Sequence, residues 1–285
     1  MLATDHEVGQ SRLSQLAGIG VQHRLIAFDH APPAGFAPTF LGSLFLLDVV
    51  SVMEASTLII IDPDVVCVGP LAPLLEAVPD DSVGVLPIEY APDKPVNGLS
   101  ALDAAVIHAQ LGEERSTPCH FGGEAYVIPQ RVVAEVRHGV SVAWADSLSR
   151  HERRELHFRT EEHVMNFALR RVKVTDVSPY VRRIWTAHGH RSVRGDERGL
   201  SLWHLPAEKE RGFRSLRTAL TMEDSWFWEA ERDRFVDVVG RKCGLWGRSL
   251  PRLCIDLVAH TVRHFAKLLE RPAQIPPAIQ RRHTS

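Results

Sequence analysis

The sequence predicts an α/β protein, an open sheet of short strands joined by right-handed helical crossovers. Short runs rich in Leu, Ile and Val alternate with longer amphipathic stretches, the pattern of strands feeding helices that pack back on a sheet. The chain is 285 residues long, enough for one large domain or two modest ones with a core that needs no disulfide or metal staple. An acidic pair directly follows the most aliphatic run, where open α/β sheets place their ligands.

Residues 5 to 17 read as a polar helix ended by Gly18 and Gly20, followed by a strand over His23 to Phe28. Thr39 to Ala55 is apolar nearly all round and predicts a helix buried between layers. Leu58 to Ile61 consists of four aliphatics and predicts a central parallel strand covered on both faces. Pro70 to Val78 reads as a short helix, Ser82 to Ile88 as a strand, Asp103 to Leu111 as a helix and Ala125 to Ile128 as a strand. Thr160 to Arg170 reads as a helix with Val164, Phe167 and Ala168 on one face. Strands over Val172 to Val177 and Leu200 to Leu205 complete the sheet. The last third reads as helical, over Asp224 to Arg241 and Ser249 to Glu270, with Ser249 as cap and Pro251 in the first turn. The expected division is residues 1–220 as the main domain and 221–285 as a helical extension, with Gly240 to Gly247 joining body to tail.

The formal net charge is −2, so no global positive field exists to condense on nucleic acid. Residues 241–285 nevertheless hold nine Lys and Arg against Asp256 and Glu270, a net +7 on an otherwise acidic chain. Such a tail reads as a solvated helix face, or as a contact for anionic lipid at a membrane periphery or for an acidic partner. Cys67, Cys119, Cys243 and Cys254 are scattered without a paired spacing, as expected of reduced thiols in a cytoplasmic protein. No apolar stretch reaches the ~20 residues of a membrane span, and no signal-peptide pattern follows Met1.

In Leu58-Ile59-Ile60-Ile61-Asp62-Pro63-Asp64, two carboxylates stand two residues apart just past a strand. In extended chain that spacing turns both to one side. Their mutual repulsion is relieved by a divalent cation or a basic group. A turn stiffened by Pro63, with the aspartates capping the helix near Pro70, accounts for the same residues without chemistry.

The wider pattern resembles the GT-A glycosyltransferases, in particular the retaining families of glycogenin, the lipopolysaccharide galactosyltransferases and the blood-group transferases. LIIIDPDVVCVGPLAPLL is similar to their strand, DxD, second strand and short helix. His120-Phe121-Gly122-Gly123-Glu124-Ala125-Tyr126-Val127-Ile128 is similar to the segment beside the donor sugar. Thr160-Glu161-Glu162-His163-Val164-Met165-Asn166 resembles their acidic helix start, and Leu202-Trp203-His204-Leu205-Pro206-Ala207-Glu208-Lys209 resembles their late histidine element. The likeness covers roughly residues 20 to 215. It departs at Ala207, where the family has glycine, in lacking Pro-Trp after Lys209, and at Pro63 inside the DxD.

The resemblance implies a mixed, mostly parallel GT-A sheet flanked by helices, its first strand cut short, with Met1 to Asp5 supplying only the end of that strand. It implies transfer of a sugar, with retention, from a nucleotide-diphosphate donor, a UDP-sugar first, to a sugar, lipid or protein acceptor. Asp62, Asp64 and His204 would hold Mn²⁺ or Mg²⁺; an imidazole beside two carboxylates suits Mn²⁺ better. Glu161, Glu162 and Glu124 would be the catalytic carboxylates, as nucleophile, charge stabiliser or base. Thr4, Asp5, Gly122, Gly123, Asn166 and Lys209 would contact the donor, the glycines by letting backbone approach the sugar. Carboxylates at a helix start are also favoured by the dipole whatever their function. Two other readings use the same residues: a haloacid-dehalogenase-type phosphatase with Asp62 as nucleophile, and a non-catalytic glycosyltransferase-like scaffold.

Overall fold

The computed structural model describes residues 1–37, 39–112, 118–222, 224–247 and positions 253, 254, 257, 258 and 261. In chain order they form β1 (Leu2–Thr4), α1 (Gln10–Gly18), β2 (His23–Leu25), α2 (Phe45–Val52), β3 (Thr57–Ile61), β4 (Val65–Cys67), α3 (Ala72–Glu76), β5 (Ser82–Ile88), α4 (Ala101–Gln110), β6 (His120–Pro129), α5 (Gln130–Glu152), α6 (Glu161–Ala168), β7 (Lys173–Asp176), β8 (Val181–Arg183), β9 (Leu202–His204), α7 (Gly212–Leu220), α8 (Trp226–Glu229) and α9 (Arg232–Lys242). The mixed α/β class expected from the sequence is therefore present. The chain forms two compact units, Met1–Arg183 with Asp196–His204, and Ile184–Gly195 with the described residues from Leu205 onward.

All nine described strands belong to the first unit. They make a four-stranded sheet in the order β3-β6-β5-β7, a three-stranded sheet β4-β9-β8 and a β1-β2 pair. The β1-β2, β5-β7 and β8-β9 ladders are parallel; β3-β6, β5-β6 and β4-β9 are antiparallel. The expectation of a central parallel strand at Leu58 to Ile61 is corrected: β3 lies at the edge of its sheet, antiparallel to β6, and Ile61 is exposed. A run of aliphatics reports burial of a strand but not its neighbours, and a ten-residue β6 returning beside it was invisible in the four residues read as strand.

One face of the sheet packs on α2, α5 and α6 through Leu44, Leu47, Val50, Val136, Val140, Val164 and Met165, each worth about 1.5–3 kcal/mol on burial for the larger side chains. Helix α5, the longest described, was not read from the sequence, although Val132, Val133, Val136, Val140, Ala143, Trp144 and Ser147 recur at helical spacing on its buried face. Gly139 lets α5 approach α6 closely: a Cβ there would lie 2.6 Å from Ala168 Cα. The other face buries Leu74, Val78, Val127, Val177, Val181 and Leu202 under α3.

The second unit contains α7, α8 and α9, with Trp226, Phe227 and Phe235 in ring contact. The single helix expected over Asp224 to Arg241 is two, broken at the extended residue Ala230. The helix expected over Ser249 to Glu270 lies almost entirely outside the described residues, as does the basic tail beyond Arg241 and Lys242. No helix among the described residues is long and apolar enough to cross a membrane.

Candidate metal centre and its carboxylate network

Three strand ends converge on one point of the first unit. At the end of β3 the Asp62 N–H donates to the carbonyl of Glu124 (3.2 Å), and Val65 N–H donates back to the carbonyl of Asp62 (3.1 Å). Asp62-Pro63-Asp64-Val65 is thus a β-turn, with proline at the position its fixed φ suits. The turn leads into β4, whose antiparallel pairing sets Val65 opposite His204. The parallel β8-β9 ladder then sets His204 opposite Arg183. The aspartates do not cap α3, whose first turn is preceded by Leu71 with no side-chain cap.

Asp62, Asp64 and His204 each turn one ligand atom into a common space, all within 4.8 Å of one another, and this group could hold a metal ion. His204 Nε2 lies 3.3 Å from Asp64 Oδ1 and 3.8 Å from Asp62 Oδ2, while Nδ1 faces Glu124 Oε1 at 3.6 Å. Burial works against a charged imidazole, yet Asp64 and Glu124 outweigh it and lift the His204 pKa to about 9. Burial also raises Asp62, to about 6, with Asp64, Glu124 and Glu162 adding to the rise against His204. Two crowded carboxylates that draw positive charge this strongly, with one imidazole nitrogen among them, are the donor set a hard-to-borderline divalent cation takes.

Behind this group runs a chain of paired charges. Glu124 is fully buried and accepts two bonds from Arg183, Nε at 2.9 Å and Nη2 at 2.6 Å. The same Nη2 reaches Glu162 Oε1 at 3.0 Å, and Nη1 donates to the Tyr90 hydroxyl at 3.1 Å. Glu162 further accepts from Gly123 N–H (2.9 Å) and Asn97 Nδ2 (3.2 Å), and lies 3.4 Å from His120 Nε2. Burial disfavours its charge, but His120, Arg183 and the Gly123 N–H prevail and hold its pKa at about 2. Its neighbour behaves oppositely. Burial lifts Glu161 to about 7, with Glu162 adding repulsion, although Ser43 donates a hydrogen bond to it. Two adjacent carboxylates are thus displaced in opposite directions from the ordinary glutamate value.

Gly122 and Gly123 lie inside β6, not in a turn before it. The β5-β6 register jumps between Val85 and Leu86, from Tyr126 to Gly122, an irregularity of the kind that re-aims side chains beside functional sites. A Cβ on residue 122 would stand 2.0 Å from Glu124 Oε2 and 2.7 Å from Arg183 Nη2; on residue 123, 3.1 Å from Glu161 Oε1. The glycines therefore make room for the carboxylate network.

Asn166 clasps β6 to α6: its amide accepts from Phe121 N–H (2.7 Å) and donates to the carbonyls of Phe121 (3.0 Å) and Glu162 (2.5 Å). Thr4 and Asp5 stand at the end of β1, Thr4 bonded to His23 Nε2 at 2.7 Å and Asp5 to His6 Nδ1 at 2.7 Å. Lys209 belongs to the second unit, directly after a turn of 3-10 helix at Pro206–Glu208.

Arg183, Tyr90, Ser43 and Asn97 were not singled out from the sequence. Arg183 lies in a three-residue strand too short for a periodic signal; only the paired arginines after Val181 mark it.

No protein-family model and no curated protein matches the sequence. Two solved structures of the galactosyltransferase LgtC are similar to the chain, one in complex with donor and acceptor sugar analogs and one an active-site mutant. Their identities are 13% and 14%, each alignment covering 82% of this chain and 81% of that chain with a TM-score of 0.46.

Proposed function

We propose that the chain is a divalent-metal-dependent glycosyltransferase that moves a sugar from a nucleotide-diphosphate donor to a hydroxyl acceptor. The observation that carries this reading is the convergence of Asp62, Asp64 and His204 from three strand ends within 4.8 Å, in electrostatic reach of a carboxylate pair shifted in opposite directions. A divalent cation held there would bind diphosphate oxygens and offset the charge of the departing nucleotide.

The chain's own residues divide the remaining work. Glu162, fixed by Arg183, Gly123 and His120, stays ionised and stabilises positive charge developing at an anomeric carbon. Glu161, protonated up to about neutral pH, is suited to hydrogen-bond a sugar hydroxyl or exchange a proton with the acceptor. Glu124, buried between His204 and Arg183, orients the imidazole rather than meeting the acceptor. Asn166 positions Glu162 through the β6 backbone. Retention follows from the family resemblance, as do the donor contacts of Thr4, Asp5 and Lys209.

The phosphatase reading draws no support from β3, an antiparallel edge strand preceded by a βα unit. The test is release of nucleoside diphosphate from a panel of UDP- and GDP-sugars, with and without Mn²⁺ or Mg²⁺, in the wild type and Asp64→Asn. Metal-dependent release lost in the variant supports transfer or its hydrolytic side reaction. Absence of release from every donor removes the proposal, and metal-dependent hydrolysis of simple phosphate esters replaces it with the phosphatase.

A further inference from the structure

Just before α4 the chain reverses at Val96-Asn97-Gly98-Leu99. Val96 and Leu99 exchange both backbone bonds, N–H to carbonyl, at 2.9 and 3.0 Å. The two residues between them have positive φ, 49° at Asn97 and 84° at Gly98, the pattern of a type I′ turn, which Asn-Gly adopts readily.

The turn is held against the start of α6 at three successive positions. His163 Nε2 donates to the Val96 carbonyl at 3.1 Å, while its Nδ1 accepts from the Arg159 N–H at 3.3 Å, which fixes the tautomer. Burial keeps this imidazole neutral, with a pKa of about 4. Asn97 Nδ2 donates to Glu162 Oε2 at 3.2 Å. The Arg159 guanidinium lies over Gly98, where a Cβ would stand 2.5 Å from Nη1. Residues 159, 162 and 163 thus grip residues 98, 97 and 96 in reverse order.

An asparagine at position 97 suits the turn whatever else it does, because its short amide tolerates left-handed φ. The turn does not explain where that amide points. Glu162 is buried, and its two oxygens are held by different groups. Oε1 takes Gly123 N–H and Arg183 Nη2, whereas Oε2 takes Asn97 Nδ2, with His120 Nε2 farther off at 3.4 Å. The last torsion of a glutamate is broad, so bonds to one oxygen leave the carboxylate free to tilt. A donor on the other oxygen fixes its plane.

We infer that Asn97 is a positioning residue, which from the tip of a turn docked on α6 fixes the plane of the Glu162 carboxylate. Under the transferase reading, on which this role rests, Glu162 faces charge developing at an anomeric carbon. A tilted carboxylate then lowers kcat and leaves the donor KM.

The test uses the full chain with Mn²⁺ and whichever donor of the panel it turns over. Asn97→Gly keeps the left-handed turn and removes the amide. It is expected to lower kcat about tenfold with KM within about twofold, and to shift the melting temperature by less than about 4 °C. Asn97→Asp also keeps the turn but sets a second carboxylate against Glu162, and should lower kcat further. A measurement without turnover accompanies these. In the 15N-labelled chain the Asn97 side-chain NH₂ signals, identified by their loss in Asn97→Gly, should stand well apart, since one proton meets a charged oxygen; Glu162→Gln should bring them together. An unchanged kcat in Asn97→Gly overturns the assignment, as does a loss confined to KM or a pair of amide signals that Glu162→Gln does not move. If the wild type turns over no donor, the transferase reading falls by itself. The amide signals then decide alone: a response to Glu162→Gln upholds the hold of Asn97 on Glu162, and no response overturns it.

Discussion

Arg183 and His204 are register partners across the parallel β8-β9 ladder, and both turn to one carboxylate, Glu124. This makes a buried acid the joint between the candidate cation site and the Glu162 pair. A buried ion pair tolerates loss of one partner poorly, because the other is left charged and dry.

Replacing Arg183 by Ala should therefore destabilise the fold by about 3–5 kcal/mol, read by urea unfolding with circular dichroism. Arg183→Lys should recover only part of this, since an ammonium cannot make the bidentate contact. Adding Glu124→Gln to Arg183→Ala should restore some stability. A double variant as unstable as the sum of the singles would show that the two are not coupled.

Manganese should raise the melting temperature of the wild type. A hundredfold excess over Kd corresponds to about 3 kcal/mol. Asp64→Asn and His204→Ala should each abolish the shift while remaining folded in metal-free buffer. A shift that persists in both variants would place the cation elsewhere.

Glu161 gives a pH signature. Its carboxyl rises from 4.5 in the unfolded chain to about 7 in the folded state, so the folded state binds more protons between these values. Its contribution is fully present below about pH 4.5 and is lost as pH rises through about 7. The loss should be on the order of 1–3 kcal/mol, measured in EDTA. Glu161→Gln should flatten this slope; an identical profile in the variant would mean that Glu161 titrates normally.

Gly122→Ala should displace Glu124 from Arg183 and cost about 1–3 kcal/mol of stability by overpacking, together with the manganese-induced shift. Gly123→Ala, whose Cβ meets Glu161 Oε1 at 3.1 Å, should be milder in both measurements. Equal tolerance at the two positions would contradict the tight packing of the network at residue 122.

Ser82 to Ile88 emerged as a strand with the predicted bounds, because its short apolar run is a local signal. The helices near Pro70, Asp103 and Glu161 were legible for the same reason, as was the acidic pair after Leu58 to Ile61. Helix α5 carries the same kind of signal, its apolar residues standing at three- and four-residue intervals, but no element was assigned to that stretch from the sequence.

What the amino-acid order determined was the α/β alternation and the residue types able to hold a cation, since both are set by neighbours a few positions apart. Pairing was decided only in three dimensions. Which strand lies beside β3, which arginine meets Glu124, and which of Glu161 and Glu162 holds its proton more tightly depend on contacts between residues tens of positions apart. Burial and Coulomb energies act through space, so the same two glutamates, adjacent in the chain, are shifted in opposite directions by the different groups that the fold sets against each.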